Sequence, residues 1–113
     1  MKTTLPESAR NIKPLIETLK NKLQKLYGDN MLQIILFGSY AHGNVHDESD
    51  IDLLLILNKM KSPYHENVFM NEVVSDFSLA SEIYFSVIAT TKKQFNFMKN
   101  PLYQNINKEG III

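Results

Sequence analysis

Gly38-Ser39 and the pair Asp50-x-Asp52 are the residues of this 113-residue chain whose types and spacing could do chemistry. They share one stretch, Phe37 to Leu55, which reads FGSYAHGNVHDESDIDLLL. Glycine lets a backbone approach a ligand closely. A helix starting at Ser39 would turn free N–H groups, with the Ser39 hydroxyl, toward a phosphate. No Gly-Lys-Ser/Thr follows, so the turn is not a Walker A loop. On a strand, residues two apart share a face, which sets Asp50 and Asp52 side by side with Cα atoms roughly 6.5–7 Å apart. Carboxylates so placed suit one Mg²⁺ or bridge two, with phosphate oxygens and water completing the shell. A phosphate-gripping turn beside metal-holding carboxylates points to chemistry on a nucleoside triphosphate.

The elements that must position these groups are legible on either side. Met31 to Phe37 is a short apolar run that ends at Gly38 and reads as a strand. Ile51 to Leu57 is apolar on both faces and reads as a central strand covered from two sides. Gly43 suits the turn back between them. Upstream, Ile12, Leu15, Ile16, Leu19, Leu23 and Leu26 recur at helical spacing, with Pro14 in the first turn and Gly28 as terminator. Downstream, Ser62-Pro63 opens a second helix whose expected stripe is Val68, Phe69, Val73, Phe77 and Ala80. Glu82 to Ala89 reads as a third strand, with Glu82, Tyr84, Ser86 and Ile88 on one face. Thr91 and Gln94 form a capping-box pattern for a short helix carrying Phe95 and Met98, which Pro101 ends. A last turn precedes Gly110, and Ile111 to Ile113 suits an edge strand. The expected fold is a small α/β domain, helices packed on a mixed sheet, occupying residues 1–113 as one unit.

Composition narrows the partners. Twelve basic and twelve acidic residues cancel, which disfavours an extended nucleic-acid surface. The absence of cysteine removes disulfides and thiolate metal sites and suits a reducing, cytoplasmic setting. No apolar run approaches the length of a membrane span, and MKTTLPESAR lacks a signal-peptide core. Tyr64, Phe69, Phe77, Phe95, Phe97 and Met98 are more bulky apolar surface than so small a core hides; core packing is the expected fate of most, and part suits an interface with a partner chain.

Gly38-Ser39 through Ser49-Asp50-Ile51-Asp52 resembles the signature of the DNA polymerase β-like nucleotidyltransferase superfamily, in its minimal, single-domain branch. The tail, Asn105-Ile106-Asn107-Lys108-Glu109-Gly110-Ile111, resembles the ending of those small domains. The resemblance implies that Gly38 and Ser39 bind the triphosphate of ATP, and that Asp50 and Asp52 hold Mg²⁺, in a two-metal site. It also implies a helical HEPN-domain partner, encoded separately, which some members silence as antitoxins by transferring AMP onto it.

Two positions depart from the pattern. His42 stands where the branch often has arginine, and a neutral imidazole brings less charge to a phosphate. His46 lacks identifiable partners for a metal role. The third carboxylate that the family carries on a later strand, as metal ligand and base, falls on Glu82 or, counting back from the Thr91 helix start, on Ser86. The sequence therefore supports two functions. One is Mg²⁺-dependent nucleotidyl transfer with Asp50, Asp52 and Glu82 as catalytic residues. The other is a weak or inactive nucleotide-binding module that neutralises its partner by binding. A transferase acting on aminoglycosides or RNA tails shares the chemistry but needs more chain to hold its acceptor.

Overall fold

Periodicity and punctuation set the first helix. In the computed structural model, which describes residues 1–43, 50–97 and 99–113, α1 runs Lys13–Tyr27 and buries Ile16, Leu19 and Leu23. His46, Ser49 and Met98, each named above, lie outside the described residues. Pro14 sits in the first turn, where its missing N–H has no helical partner to lose. Gly28, at φ 56°, ends the helix in a conformation that a side chain would strain. A 3-10 segment, Glu7–Ile12, precedes α1 and adds Ala9 and Ile12 to the core.

Strands β1 (Met31–Phe37) and β2 (Ile51–Leu57) have the expected bounds and pair antiparallel, with Phe37 opposite Asp52. Between them lies the short helix α2 (Ser39–His42). After β2, helix α3 (Pro63–Ser81) crosses over to β3 (Phe85–Thr91), which lies parallel to β2. Helices α4 (Lys92–Phe97) and α5 (Pro101–Glu109) follow, and β4 (Ile111–Ile112) returns antiparallel to β1. The sheet order is β3-β2-β1-β4. This is the expected small α/β arrangement of helices packed on a mixed sheet.

Both faces of the sheet are covered, as the unbroken apolar run of β2 requires. Leu53, Leu55 and Leu57 pack with Ile34, Leu36 and Phe85 against α1 and α3. Leu54 and Ile56 pack with Ile35 against Phe95 of α4 and Ile106 of α5. Asp52 belongs to this second face by alternation and stands at its open end. The far end of the β1–β2 pair is pinned by Asn30. Its Nδ2 donates to the Lys59 carbonyl at 2.9 Å, and its Oδ1 accepts from the Lys59 N–H at 2.8 Å.

Three expectations need correction. The buried stripe of α3 is Glu66, Met70 and Val74, whereas Val68, Phe69 and Ala80 stand exposed. The helix is apolar on several sides, so the sheet rather than the pattern decides which side turns inward. The third strand begins at Phe85, not Glu82. Helix α3 runs on to Ser81, and Glu82 takes a left-handed cap at φ 59°. The Phe85 N–H then donates to Ser78 Oγ at 3.1 Å, which fixes the strand start. Pro101 opens α5 rather than merely ending α4, with Asn100 Oδ1 accepting from the Tyr103 N–H at 2.7 Å.

Candidate active site

Gly38 is the hinge between β1 and α2. Its φ of 74° and ψ of −152° lie where side-chain-bearing residues rarely go. Its carbonyl accepts from the N–H groups of Ala41 at 3.1 Å and His42 at 3.2 Å, closing the turn. The first N–H groups of α2, those of Ser39 and Tyr40, precede any helical acceptor. Gly43, at φ 78°, ends the helix.

The second reason for glycine at 38 is Asp52. A methyl group built on Gly38 would overlap the Asp52 carboxylate at Oδ2. The motif glycine and the second motif aspartate are thus in direct contact across the β1–β2 ladder, with Phe37 opposite Asp52. The two halves of the motif form one site.

Asp50 lies just before β2 and is exposed, while Asp52, inside the strand, is half-buried. Ile51 between them is fully buried and anchors the strand start. Burial first, and the charge of Asp50 second, hold the Asp52 carboxyl above the usual carboxylate range. Among the described residues no cationic side chain pairs with either aspartate. Two hard oxygen donors in an unbalanced negative site fit a cation such as Mg²⁺, which takes one or two protein carboxylates beside phosphate and water. No group of three metal-ligating side chains occurs among the described residues.

The parallel register decides what faces Asp52 from β3. Asp52 pairs with Ser86, so a hydroxyl stands one strand away, about 4.8 Å in backbone spacing. Glu82 lies three residues before β3, in the turn after α3, and has no register partner on β2. The premise that placed it on a strand face with Ser86 therefore fails, because α3 continues to Ser81 and leaves Glu82 as its cap. Gly38, followed by Ser39, touches Asp52, Asp50 acts on Asp52 through its charge, and Ser86 stands in register with Asp52.

His42, at the end of α2, meets a residue the sequence did not single out for this site. Its Nε2 lies 3.0 Å from Glu109 Oε2 on α5. A cleft of about 280 Å³ opens here between the Gly38–His42 turn and α5. The one signal for it in the sequence is the tail pattern around Glu109 and Gly110. Gly110 allows a close crossing, since a Cβ there would collide with Ile35 and the Ile106 carbonyl.

This strand, turn and paired-carboxylate geometry suits nucleotidyl transfer. The chain belongs to the family described as polymerase beta, nucleotidyltransferase, whose model matches residues 17–113. It is 32% identical over 78 residues to MJ0141 of Methanocaldococcus jannaschii, named a putative protein adenylyltransferase, covering 69% of this chain and 78% of that protein. Among solved structures it is similar to a nucleotidyltransferase from Sulfolobus solfataricus, with a TM-score of 0.67, 17% identity and coverage of 94% and 82% of the two chains. It is also similar to a toxin–antitoxin complex with AMP-PNP, at a TM-score of 0.61 and 22% identity, covering 85% of this chain and 70% of the other. A further likeness is to a tri-AMPylated Shewanella oneidensis HEPN toxin in complex with an MNT antitoxin, at a TM-score of 0.51 and 21% identity, covering 85% and 69%. At these identities the structural likenesses show the fold.

Proposed function

We propose that this chain transfers AMP from ATP onto a hydroxyl of a protein, a HEPN-domain toxin partner, and so acts as its antitoxin. The observation that carries the reading is the contact of Gly38 with Asp52, which sets a phosphate-approaching backbone against a carboxylate pair without a protein cation among the described residues. The names of the relatives, protein adenylyltransferases, support a protein acceptor. The HEPN toxin bound to the MNT antitoxin of similar fold supports the partner class. Among the described residues no helix is long and apolar enough to cross a membrane.

The roles follow from position. The main-chain N–H groups of Ser39 and Tyr40, with the Ser39 hydroxyl, face the leaving phosphates. Asp50 and Asp52 would hold Mg²⁺, which when bound supplies positive charge to the phosphate oxygens. The acceptor oxygen attacks the α-phosphorus, the bond from that phosphorus to the β-bridging oxygen breaks, and pyrophosphate leaves. The hydroxyl proton passes to water, since β3 offers Ser86 rather than a carboxylate beside Asp52. Ser39, Gly38, Asp50 and Asp52 remain the residues assigned to this site, and Glu82 does not.

Ser86 and the His42–Glu109 contact favour one second reading, a slow or inactive module that neutralises its partner by binding. A single experiment separates the two. The chain is incubated with α-labelled ATP, Mg²⁺ and its partner, beside the Asp50→Ala/Asp52→Ala variant. Label on the partner that vanishes in the folded variant supports transfer. Silencing of the partner by the unlabelled variant supports binding alone.

A further inference from the structure

The two edges of the sheet are treated differently. At one, β4 is two residues long, and Lys2 covers it: the Lys2 N–H donates to the Gly110 carbonyl at 2.9 Å, and the Lys2 carbonyl accepts from the Ile112 N–H at 2.9 Å. At the other, β3 runs seven residues, FSVIATT, with no charge and no proline. Folded proteins ordinarily blunt an open edge with one or the other.

The direction of the ladder shows which groups that edge presents. The Ile51 N–H donates to the Tyr84 carbonyl at 3.0 Å, so in a parallel pair the even-numbered residues 84, 86 and 88 bond inward to β2. Phe85, Val87 and Ala89 then turn their N–H and C=O groups outward. Phe85 bears out the alternation, since its N–H leaves the sheet for Ser78 Oγ. The outward groups of Val87 border a groove of about 430 Å³ between β3 and α3. Its rim carries Tyr64, 79% exposed, Val68, 59%, Tyr84, 64%, and Ile88, 36%. Among the described residues the outward groups of Val87 and Ala89 have no backbone partner, and such donors and acceptors flanked by apolar side chains are satisfied by an extended chain.

The groove also contains Ser86, the residue in register with Asp52. We propose that an extended segment of the acceptor protein adds to the free edge of β3 as a fifth strand, which delivers the residue beside Ser86 to the Asp50–Asp52 site. On the added strand, alternate side chains point to the Asp52 face and the others into the α3 groove. The residue beside Ser86 lies two strand spacings, about 9.5 Å, from Asp52 in backbone terms. A second copy of this chain would satisfy the same edge, but only an acceptor makes use of its register with the carboxylates. The inference rests on the protein-acceptor reading above.

Val87→Pro tests it directly. Proline there removes an outward N–H and leaves the inward ladder to β2 intact. Val68→Glu, on the exposed face of α3, is the second variant and decides the matter if Val87→Pro does not fold by circular dichroism. The chain is mixed with the HEPN-domain protein, and three quantities are measured: association, transfer from α-labelled ATP, and binding of Mg²⁺–AMP-PNP. The expected result is a loss of at least about tenfold in association and transfer in both variants, with AMP-PNP affinity within about twofold. Wild-type association and labelling in both variants would overturn the proposal. So would a wild-type dimer in sedimentation that Val87→Pro dissociates, because the occupant is then a second copy. Loss of association in the variants, with no labelling even by the wild type, supports strand addition and refutes the transfer reading instead.

Discussion

Two acidic side chains leave water in this fold on opposite terms. Glu66, on α3, is buried, and its Oε2 accepts a hydrogen bond from Tyr27 Oη at 2.9 Å. The fold has completed that site. The Tyr27 hydroxyl is correspondingly reluctant to ionise, through burial first and then its bond to Glu66 and the charge there. Asp52 is less buried, yet the charge that acts on it is that of another carboxylate, Asp50. One acid is closed by a hydrogen-bond donor of the protein, and the other faces a like charge. The group that faces each acid distinguishes the two better than depth of burial does.

Substitutions can break that contrast from either side. The largest effect is expected from Asp50→Ala/Asp52→Ala, which should lower nucleotide transfer by about a thousandfold or more while the chain stays folded. Labelled-ATP assays and circular dichroism check both halves. Gly38→Ala combines a strained φ with a collision at Asp52. It should cost about 2–3 kcal/mol in urea unfolding and weaken Mg²⁺–nucleotide binding together.

Tyr27→Phe leaves Glu66 buried without its donor and should cost about 1–3 kcal/mol, with nucleotide affinity unchanged. The double variant Tyr27→Phe/Glu66→Leu, which removes both polar partners, should recover much of that loss. A double-mutant cycle by urea unfolding measures the recovery.

The smallest effect concerns Asp52 alone. Its carboxyl holds a proton more tightly in the folded chain than in the unfolded one. The stability it contributes is therefore present below the ordinary carboxylate range and is lost as pH rises through the raised value. Asp52→Asn should remove that dependence, raising Tm by about 1–3 °C at neutral pH and leaving it little changed in acid. Added Mg²⁺ should raise Tm in the wild type and not in Asp52→Asn.

Only the Asp52 half of this contrast is legible in the amino-acid sequence. Asp50 and Asp52 stand out because the motif is local: a glycine ending one strand and carboxylates opening the next lie within one short stretch. The bounds of β1, β2 and α1 are legible for a similar reason, since regular apolar spacing meets glycine or proline at the ends. Glu66 is not legible, because an acid on a largely apolar helix looks solvated until the sheet chooses the inward face. Nor is the place of Ser86. The segment Ser81 to Tyr84 suits both the end of a helix and the start of a strand, and the register of β3 on β2 is set across all of α3. Glu109 meets His42 only once α5 has folded back along β1.

That meeting bears on how quickly a triphosphate could take hold. His42 and Glu109 are each about half in water, and a solvent-exposed pair of this kind is worth at most about 1 kcal/mol. A phosphate oxygen competing for the imidazole would thus forfeit no more than about fivefold in affinity. The imidazole is parked on a carboxylate that gives way, and exchanging Glu109 for a ligand oxygen would need only the rotation of two exposed side chains, among the fastest motions of a folded chain.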